Sequence, residues 1–178
     1  NKQKIQLLQL NNNYGNQYYL PYTIGCLQAY ASKQESIHEN FNFLPFLYKR
    51  DRVEKIVDQI GDADVFGASC YIWNWQLSLE VAKQLRKRNP EVLIILGGPQ
   101  IPDSDPNFFE KFPFVDITVH GEGELAFCNI LKTLLKKESS NNIPNTSFFD
   151  RRTKKIYHNP KAPRFNEISV FPSPYLED

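Results

Sequence analysis

Short apolar segments rich in β-branched residues alternate along this chain with segments in which apolar residues recur every three or four positions. The first pattern is typical of buried strands, and the second is typical of helices that bury one face. The strand pattern predicts five strands: Lys4–Leu10, Ile37–Phe43, Asp64–Cys70, Val92–Leu96 and Val115–His120. The fourth of these is apolar throughout, which favours a strand buried on both faces of a parallel sheet.

The helical pattern occupies the segments between the predicted strands. It predicts four longer helices, Leu20–Ser32, Asp51–Ile60, Trp75–Arg88 and Glu122–Lys137, and a short helix that starts at Asp105-Pro106. Because strands and helices alternate throughout, the sequence predicts an α/β fold, a doubly wound five-stranded parallel sheet.

The pattern changes past residue 138. A polar loop leads into two short apolar segments, Thr146–Phe149 and Lys154–His158, which flank a polar turn and predict a β-hairpin. The remainder, Asn159–Asp178, is rich in proline and is predicted to be a linker. We therefore expect an α/β domain over residues 1–138 and a hairpin with a linker over residues 139–178.

Charge and composition exclude several functions. Among 178 residues, 21 basic and 20 acidic side chains leave a net charge of +1, which gives no electrostatic basis for binding nucleic acid or an anionic membrane. No apolar segment approaches the ~20 residues that a membrane span needs, and the polar start carries no secretory signal. Cys26, Cys70 and Cys128 are isolated in the sequence, which favours reduced, structural thiols in a cytoplasmic protein. Without a Cys-x-x-Cys or Cys/His cluster, we expect no zinc or iron–sulfur site in this chain.

The segments that follow the predicted strands carry the candidate chemistry, because open α/β sheets bind ligands at the carboxyl ends of their strands. The polar segment Asn11–Asn16 follows the first strand, and Ser69–Trp75 ends and follows the third. Gly97-Gly98-Pro99 follows the fourth strand, and Gly121–Glu124 follows the fifth. Glycines let a bulky ligand approach the backbone closely, and the neighbouring aromatic residues offer it an apolar wall.

Each of these features also has a structural explanation when taken singly. The glycine pair is compatible with a tight turn, Asn74 with a helix cap, and Trp73 with helix packing. The acidic residues of Gly121–Glu124 are compatible with a favoured helix amino terminus. Together on one edge of the sheet, they favour a site for a large planar cofactor over a phosphate site.

Other α/β ligand classes fit the same positions less well. A phospho-acceptor receiver domain needs acidic residues after the first and third strands, where this chain has asparagines and Ser69-Cys70. A flavodoxin-type site needs a hydroxyl-rich phosphate loop after the first strand, which Asn11–Asn16 does not supply. A dinucleotide site needs Gly-x-Gly-x-x-Gly opening the first helix, whereas Gly121–Gly123 follows the fifth strand and lacks the third glycine.

The ordered set of segments resembles the amino-terminal cobalamin-binding domain of cobalamin-dependent radical S-adenosylmethionine (SAM) enzymes. The segments that carry the resemblance are Tyr19–Tyr22, Gly25–Tyr30, Ser69–Asn74, Asn89-Pro90, Leu96–Pro99, Val115-Asp116, Gly121–Glu124 and Ser173–Leu176. The resemblance implies a Rossmann-like or flavodoxin-like cobalamin-binding fold that holds a corrinoid at the strand carboxyl ends, with its nucleotide tail tucked into the sheet.

The resemblance also implies which residues bind the cofactor. The implied residues are Tyr14, Gly15, Ser69, Tyr71, Trp73, Asn74, Gly97, Gly98, Pro99, Gly121, Glu122, Gly123 and Glu124. Mutase-type cobalamin domains place a cobalt-ligating histidine in an Asp-x-His-x-x-Gly motif after the first strand, and this chain lacks it. We therefore expect base-off cobalamin without a histidine ligand, and structural or solvated roles for His38, His120 and His158.

The resemblance further implies that the reactive half of the enzyme lies elsewhere. In this enzyme class a Cys-x-x-x-Cys-x-x-Cys loop holds the [4Fe–4S] cluster that cleaves SAM, and this chain has no such loop. We expect a non-catalytic fragment whose parent continues past Asp178 into a radical SAM domain in cis and acts as a B12-dependent methyltransferase. The alternative is a vestigial domain that has lost cobalamin and serves as a scaffold or interaction module.

Overall fold

The computed structural model describes residues 1–15, 17–103, 105–138, 142–163 and 171–175. Its strands are β1 (Gln3–Leu8), β2 (Asn13–Tyr14), β3 (Gln17–Tyr18), β4 (Phe41–Phe43), β5 (Val65–Ser69), β6 (Leu93–Gly97), β7 (Ile117–Val119), β8 (Thr146–Asp150) and β9 (Lys155–His158). Its helices are α1 (Tyr22–Ser32), α2 (Glu35–Asn40), α3 (Val53–Ile60), α4 (Trp75–Arg88), α5 (Phe108–Lys111) and α6 (Glu124–Lys136).

The main sheet has the strand order β4-β1-β5-β6-β7-β8-β9. Its first five strands are parallel, and β8 and β9 continue it as an antiparallel hairpin paired to β7. The predicted five-stranded parallel sheet and the predicted hairpin are therefore confirmed. The chain leaves β1 to one side to form β4 and then crosses to the other side for β5, so the order reverses at β1, where such sheets bind ligands.

Alternating side chains of the central strands enter two separate cores. Phe66 and Ala68 of β5 pack into the core beneath α3, α4 and α5. Val65 of the same strand faces the core that is formed with α1, α2 and α6. This alternation covers both faces of the sheet, as expected for strands that are apolar throughout.

One predicted strand is partly wrong. Ile37–Phe43 is a strand only over Phe41–Phe43, and the residues before it form helix α2. Ile37 is the single apolar residue of this helix and is fully buried. A single buried position shows no period, so the pattern could not distinguish one helical turn from a strand.

A buried carboxylate joins the sheet to the hairpin. Asp116, just before β7, forms ion pairs with Arg86 of α4 and with Arg151 of the hairpin turn. One carboxylate oxygen also accepts a hydrogen bond from the Ile94 backbone amide at 2.7 Å. The Asp116 side chain is 8% exposed and that of Arg86 is 13% exposed, so this ion pair is largely shielded from water, whereas Arg151 reaches the surface.

The described part of the predicted linker returns to helix α1. A Cβ atom built on Gly25 would lie 3.0 Å from Cβ of Pro174, so the absence of a side chain at Gly25 lets the two segments touch. Tyr175 stacks on Tyr22, with ring centroids 5.9 Å apart. Residues 164–170 and 176–178 of the predicted linker, which include Leu176, lie outside the described residues.

Candidate functional site

A cavity of about 370 Å³ opens at the carboxyl ends of the parallel strands, between the sheet and helices α1 and α6. Seven of the sequence-predicted residues line it: Ser69, Tyr71, Gly97, Gly98, Pro99, Gly121 and Gly123. The structure thus brings together the segments that follow β5, β6 and β7. We call this space the inner cavity.

Small residues on one face of the sheet create the inner cavity. Gly67 and Ser69 of β5 and Gly97 of β6 lie on the face that α1 and α6 cover. A Cβ atom on Gly97 would make only an ordinary contact with Val119, 3.6 Å from its Cβ. A larger side chain at this position would extend into the cavity.

Sequence reasoning missed part of the lining. Gly67 was not predicted, although a glycine inside an apolar strand is a signal for close approach by another group. Thr23 and Leu27 of α1 and Phe127 of α6 also line the cavity. Their place depends on how the two helices cross the sheet, which the sequence pattern does not fix.

The Ser69 hydroxyl is the polar group of this lining that most clearly fits a ligand. The residue is 4% exposed, and its Oγ has no hydrogen-bond partner among the described residues. A buried hydroxyl without a partner costs free energy, and buried polar groups in proteins are generally satisfied. A ligand in the inner cavity that carries polar atoms would supply the partner.

Gly98 is required by the backbone itself. Its φ is +99°, and a Cβ atom there would lie 2.6 Å from the carbonyl oxygen and 2.7 Å from the amide nitrogen of Cys70. Any side chain would therefore strain the turn that follows β6. The two neighbouring glycines have different roles, since Gly97 leaves space and Gly98 allows the turn.

A second, more open cavity of about 410 Å³ lies beside the first, and we call it the outer shelf. It is lined by amide side chains from the segment after β1, by side chains at and just before the start of α1, and by two aromatic side chains of the β5–α4 loop: Gln9, Asn11, Asn12, Tyr19, Leu20, Tyr22, Thr23, Tyr71 and Trp73. The Tyr71 and Trp73 rings stack, with centroids 4.5 Å apart and planes 12° apart. Leu20, 59% exposed, and Trp73, 44% exposed, give the shelf apolar surface, and the stacked rings form a flat part of it.

Asn74 supports the site without lining either cavity. It is 1% exposed, its amide donates to the carbonyls of Leu10 and Ser69 at 3.1 Å each, and its Oδ1 accepts from the Tyr71 amide at 2.8 Å. These bonds fix the loop after β5 against the end of β1. Asn74 therefore positions Tyr71 and Trp73.

The other sequence-predicted residues lie at the margin. Tyr14 is 82% exposed, and with Gly15 it belongs to the small β2–β3 turn, which the sequence did not predict. Glu122 and Glu124 lie at the start of α6. None of these four residues lines the inner cavity or the outer shelf.

Burial disfavours the charged forms of Cys70 and His120 near the site, whereas the hydrogen bond from Lys161 lowers the pKa of Asp103, which lines the inner cavity. Burial raises the pKa of the Cys70 thiol to about 12. At the end of β7, His120 Nε2 lies 3.0 Å from Ser147 Oγ and 3.3 Å from Thr118 Oγ1, and burial lowers the pKa of this imidazole.

Within the described ranges, no three His, Cys, Asp or Glu residues come together as a possible metal site. No described helix is long and apolar enough to cross a membrane.

Comparison with known proteins agrees with this geometry. Residues 18–131 match the family model of the B12 binding domain. The chain is 39% identical to the cobalamin-dependent radical SAM methyltransferase TokK of Streptomyces tokunonensis, over 89% of the chain and 23% of that protein. It is 33% identical, with the same coverage, to the 2-(S-pantetheinyl)-carbapenam-3-carboxylate methyltransferase of Streptantibioticus cattleyicolor. The chain thus spans about a quarter of the length of these curated relatives.

Solved structures share the fold. The structure of the cobalamin-dependent SAM radical enzyme OxsB with aqua-cobalamin bound superposes with a TM-score of 0.75 at 20% identity, over 98% of this chain and 24% of that one. The radical SAM methyltransferase TsrM from Kitasatospora setae, with cobalamin and a [4Fe–4S] cluster bound, gives 0.67 at 15% identity, over 97% and 31%. At these identities the likeness shows a common fold. The chain therefore belongs to the B12 binding domain family, and its predicted resemblance to cobalamin-dependent radical SAM enzymes is confirmed.

Proposed function

We propose that the chain binds cobalamin with the nucleotide tail in the inner cavity and the corrin ring at the outer shelf. The observation that carries this proposal is the pairing of Ser69 with Gly97 at the ends of β5 and β6. Ser69 offers a buried hydroxyl without a hydrogen-bond partner among the described residues, and Gly97 leaves space beside it because it has no side chain. A cavity of about 370 Å³ suits the tail, whereas a corrin ring with its amide side chains is too broad for it. The flat apolar surface of the outer shelf offers that ring a place.

Different residues of the chain would contact different parts of the cofactor. Ser69 would hydrogen-bond the tail, and Gly67 and Gly97 would leave the tail room against the sheet. The exposed side-chain amide of Asn12 is suited to bind an amide group at the edge of the ring, whereas the buried amides of Gln9 and Asn11 are already bonded to each other and to the backbone beside them. When bound, cobalamin supplies a cobalt centre that can carry a methyl group.

We further propose that the cofactor is bound base-off and without a histidine on cobalt. Neither His38, His120 nor His158 lines the inner cavity or the outer shelf. Trp73, stacked on Tyr71, would instead lie against the lower face of the ring. Electron paramagnetic resonance of the cob(II)alamin form is expected to show no nitrogen hyperfine splitting on the cobalt signal, and a splitting traced to a protein histidine would contradict this proposal.

The parent protein is proposed to be a B12-dependent radical SAM methyltransferase that continues past Asp178 with a radical SAM domain in cis. TokK and the carbapenam carboxylate methyltransferase, the relatives compared above, support this class. In that enzyme the [4Fe–4S] cluster and SAM would belong to the other domain, so this chain alone is expected to bind no iron and not to cleave SAM. The free thiols Cys26, Cys70 and Cys128 are consistent with a cytoplasmic location.

The binding proposal is tested by mixing the purified chain with hydroxocobalamin and separating free cofactor by gel filtration. We expect the protein fraction to retain the colour of the corrinoid in a ratio near one to one. A folded chain that retains none would favour the alternative, a domain that serves only as a scaffold. The open inner cavity supports the binding role, because a domain without a ligand could fill that space with larger side chains.

A further inference from the structure

The inner cavity and the outer shelf share two lining residues, Thr23 and Tyr71. Their hydroxyl oxygens lie 2.6 Å apart and share a hydrogen bond. Thr23 belongs to α1, and Tyr71 belongs to the loop after β5. The bond therefore joins the helix layer to the sheet edge where one cavity passes into the other, and we call it the rim bridge.

The Tyr71 side chain can leave this bond without disturbing its loop. The Tyr71 backbone amide is held by Asn74 Oδ1 at 2.8 Å, and Asn74 is itself bound to Leu10 and Ser69. The Tyr71 side chain has a separate support, the stack on Trp73. Once the hydrogen bond to Thr23 breaks, the phenol can turn against its stack on Trp73, while the backbone amide stays bound to Asn74.

The proposed binding mode requires passage at this point. The nucleotide tail and the corrin ring are parts of one molecule, so a tail in the inner cavity and a ring at the outer shelf are connected past Thr23 and Tyr71. We propose that the rim bridge is a gate for the nucleotide tail, and that Tyr71 and Thr23 control how fast corrinoids with a tail bind and leave. This inference rests on the proposed cobalamin binding and adds a kinetic role for two residues.

A gate makes a kinetic prediction that an ordinary contact does not. Tyr71→Phe removes the hydroxyl and keeps the ring, and Thr23→Val removes the hydroxyl and keeps the side-chain volume. Each change removes the hydrogen bond. For hydroxocobalamin we expect both variants to raise the association and dissociation rate constants together, by about three- to tenfold, since one neutral hydrogen bond is lost. The dissociation constant should change by a smaller factor than either rate constant. The double variant should be no faster than either single variant, because both changes break the same bond.

Cobinamide, which carries the corrin ring without the nucleotide tail, is the matched ligand. With the same water and hydroxide ligands on cobalt, its rates should respond less to the variants than those of hydroxocobalamin do, since Tyr71 and Thr23 line the ring site but no tail passes the gate. Thr23→Ser keeps the hydroxyl and should retain the parent rates. Tyr157→Phe, on the remote hairpin, controls for the loss of a tyrosine hydroxyl in general.

Stopped-flow absorbance with both corrinoids separates the outcomes. If the parent chain binds neither corrinoid, the proposed function itself fails. If the parent chain binds hydroxocobalamin but Tyr71→Phe and Thr23→Val leave its rates unchanged, or accelerate cobinamide equally, the gate is refuted and the binding proposal stands. A weaker equilibrium affinity without faster association would likewise refute the gate, because it identifies Tyr71 as an ordinary contact.

Discussion

At the scale of single residues, two adjacent glycines have different roles: Gly97, the last residue of β6, leaves space for a ligand, and Gly98, just after it, allows the backbone to turn. A Cβ atom on Gly97 meets only Val119 at an ordinary distance, whereas one on Gly98 meets the Cys70 backbone at 2.6 Å. The sequence predicted both glycines as binding residues, because both follow an apolar strand. It could not tell them apart, because the difference lies in the backbone angle of Gly98 and the approach of Cys70.

Gly97→Val is expected to keep the fold and to weaken hydroxocobalamin binding at least tenfold, because its side chain extends into the inner cavity beside Ser69. Gly98→Ala is the matched change, and it is expected to lower the free energy of unfolding by about 2 kcal/mol or more through clash and backbone strain. Urea unfolding and equilibrium titration with hydroxocobalamin measure the two effects. Parent affinity in a folded Gly97→Val chain would show that the tail does not occupy this cavity.

Three of the residues that the sequence did not predict share one property. Thr23, Leu27 and Phe127 reach the inner cavity from helices α1 and α6. On the sequence they are ordinary members of amphipathic helices. Only the crossing of those helices over the sheet brings them to the site, and periodicity carries no information on that crossing.

At the scale of elements, the central parallel strands were predictable because they are continuous apolar segments, and the long helices because each has enough buried positions to show a period. Helix α2 and the β2–β3 turn were not, since each is too short. The pairing of the hairpin to β7 also depends on a tertiary feature, the Asp116 cluster with Arg86 and Arg151. From the sequence alone, an aspartate before a strand does not predict ion pairs with a helix and a hairpin.

Asp116→Asn is expected to lower the free energy of unfolding by about 3 kcal/mol, because it leaves Arg86, 13% exposed, without its charge partner. Asp58→Asn is the matched control, since it removes an exposed ion pair with Arg88 and should cost less than about 1 kcal/mol. Urea unfolding of both variants measures the difference. Equal effects would mean that the buried cluster does not hold the hairpin.

At the scale of the whole molecule, burial of one imidazole gives stability a dependence on pH. Burial lowers the pKa of His120, and nearby Lys161 and His158 lower it further while Asp103 opposes them. The unfolded chain therefore binds this proton more readily than the folded protein does. The contribution of His120 to the free energy of unfolding does not depend on pH above the ordinary histidine pKa of 6.5, and it lowers that free energy as the pH drops below this value.

His120→Gln is expected to reduce this loss of stability between pH 7.5 and pH 5. His38→Gln, which changes an exposed histidine, should leave the dependence as it is in the parent chain. Unfolding free energies across that range, measured in urea, give the comparison. An identical pH dependence in the His120→Gln chain would mean that other groups govern the acid sensitivity.

The two helices that enclose the inner cavity are neighbours in space but come from distant parts of the sequence. Leu27 of α1 and Phe127 of α6 both line it, and a Cβ atom on Gly123, the residue before α6, would lie 3.2 Å from the Leu27 side chain. Closing a contact between residues about a hundred positions apart costs chain entropy. The pocket therefore exists only in molecules in which α1 and α6 are both docked on the sheet. Corrinoid capture would then select those molecules, and the ligand would add its binding free energy to the stability of the docked state.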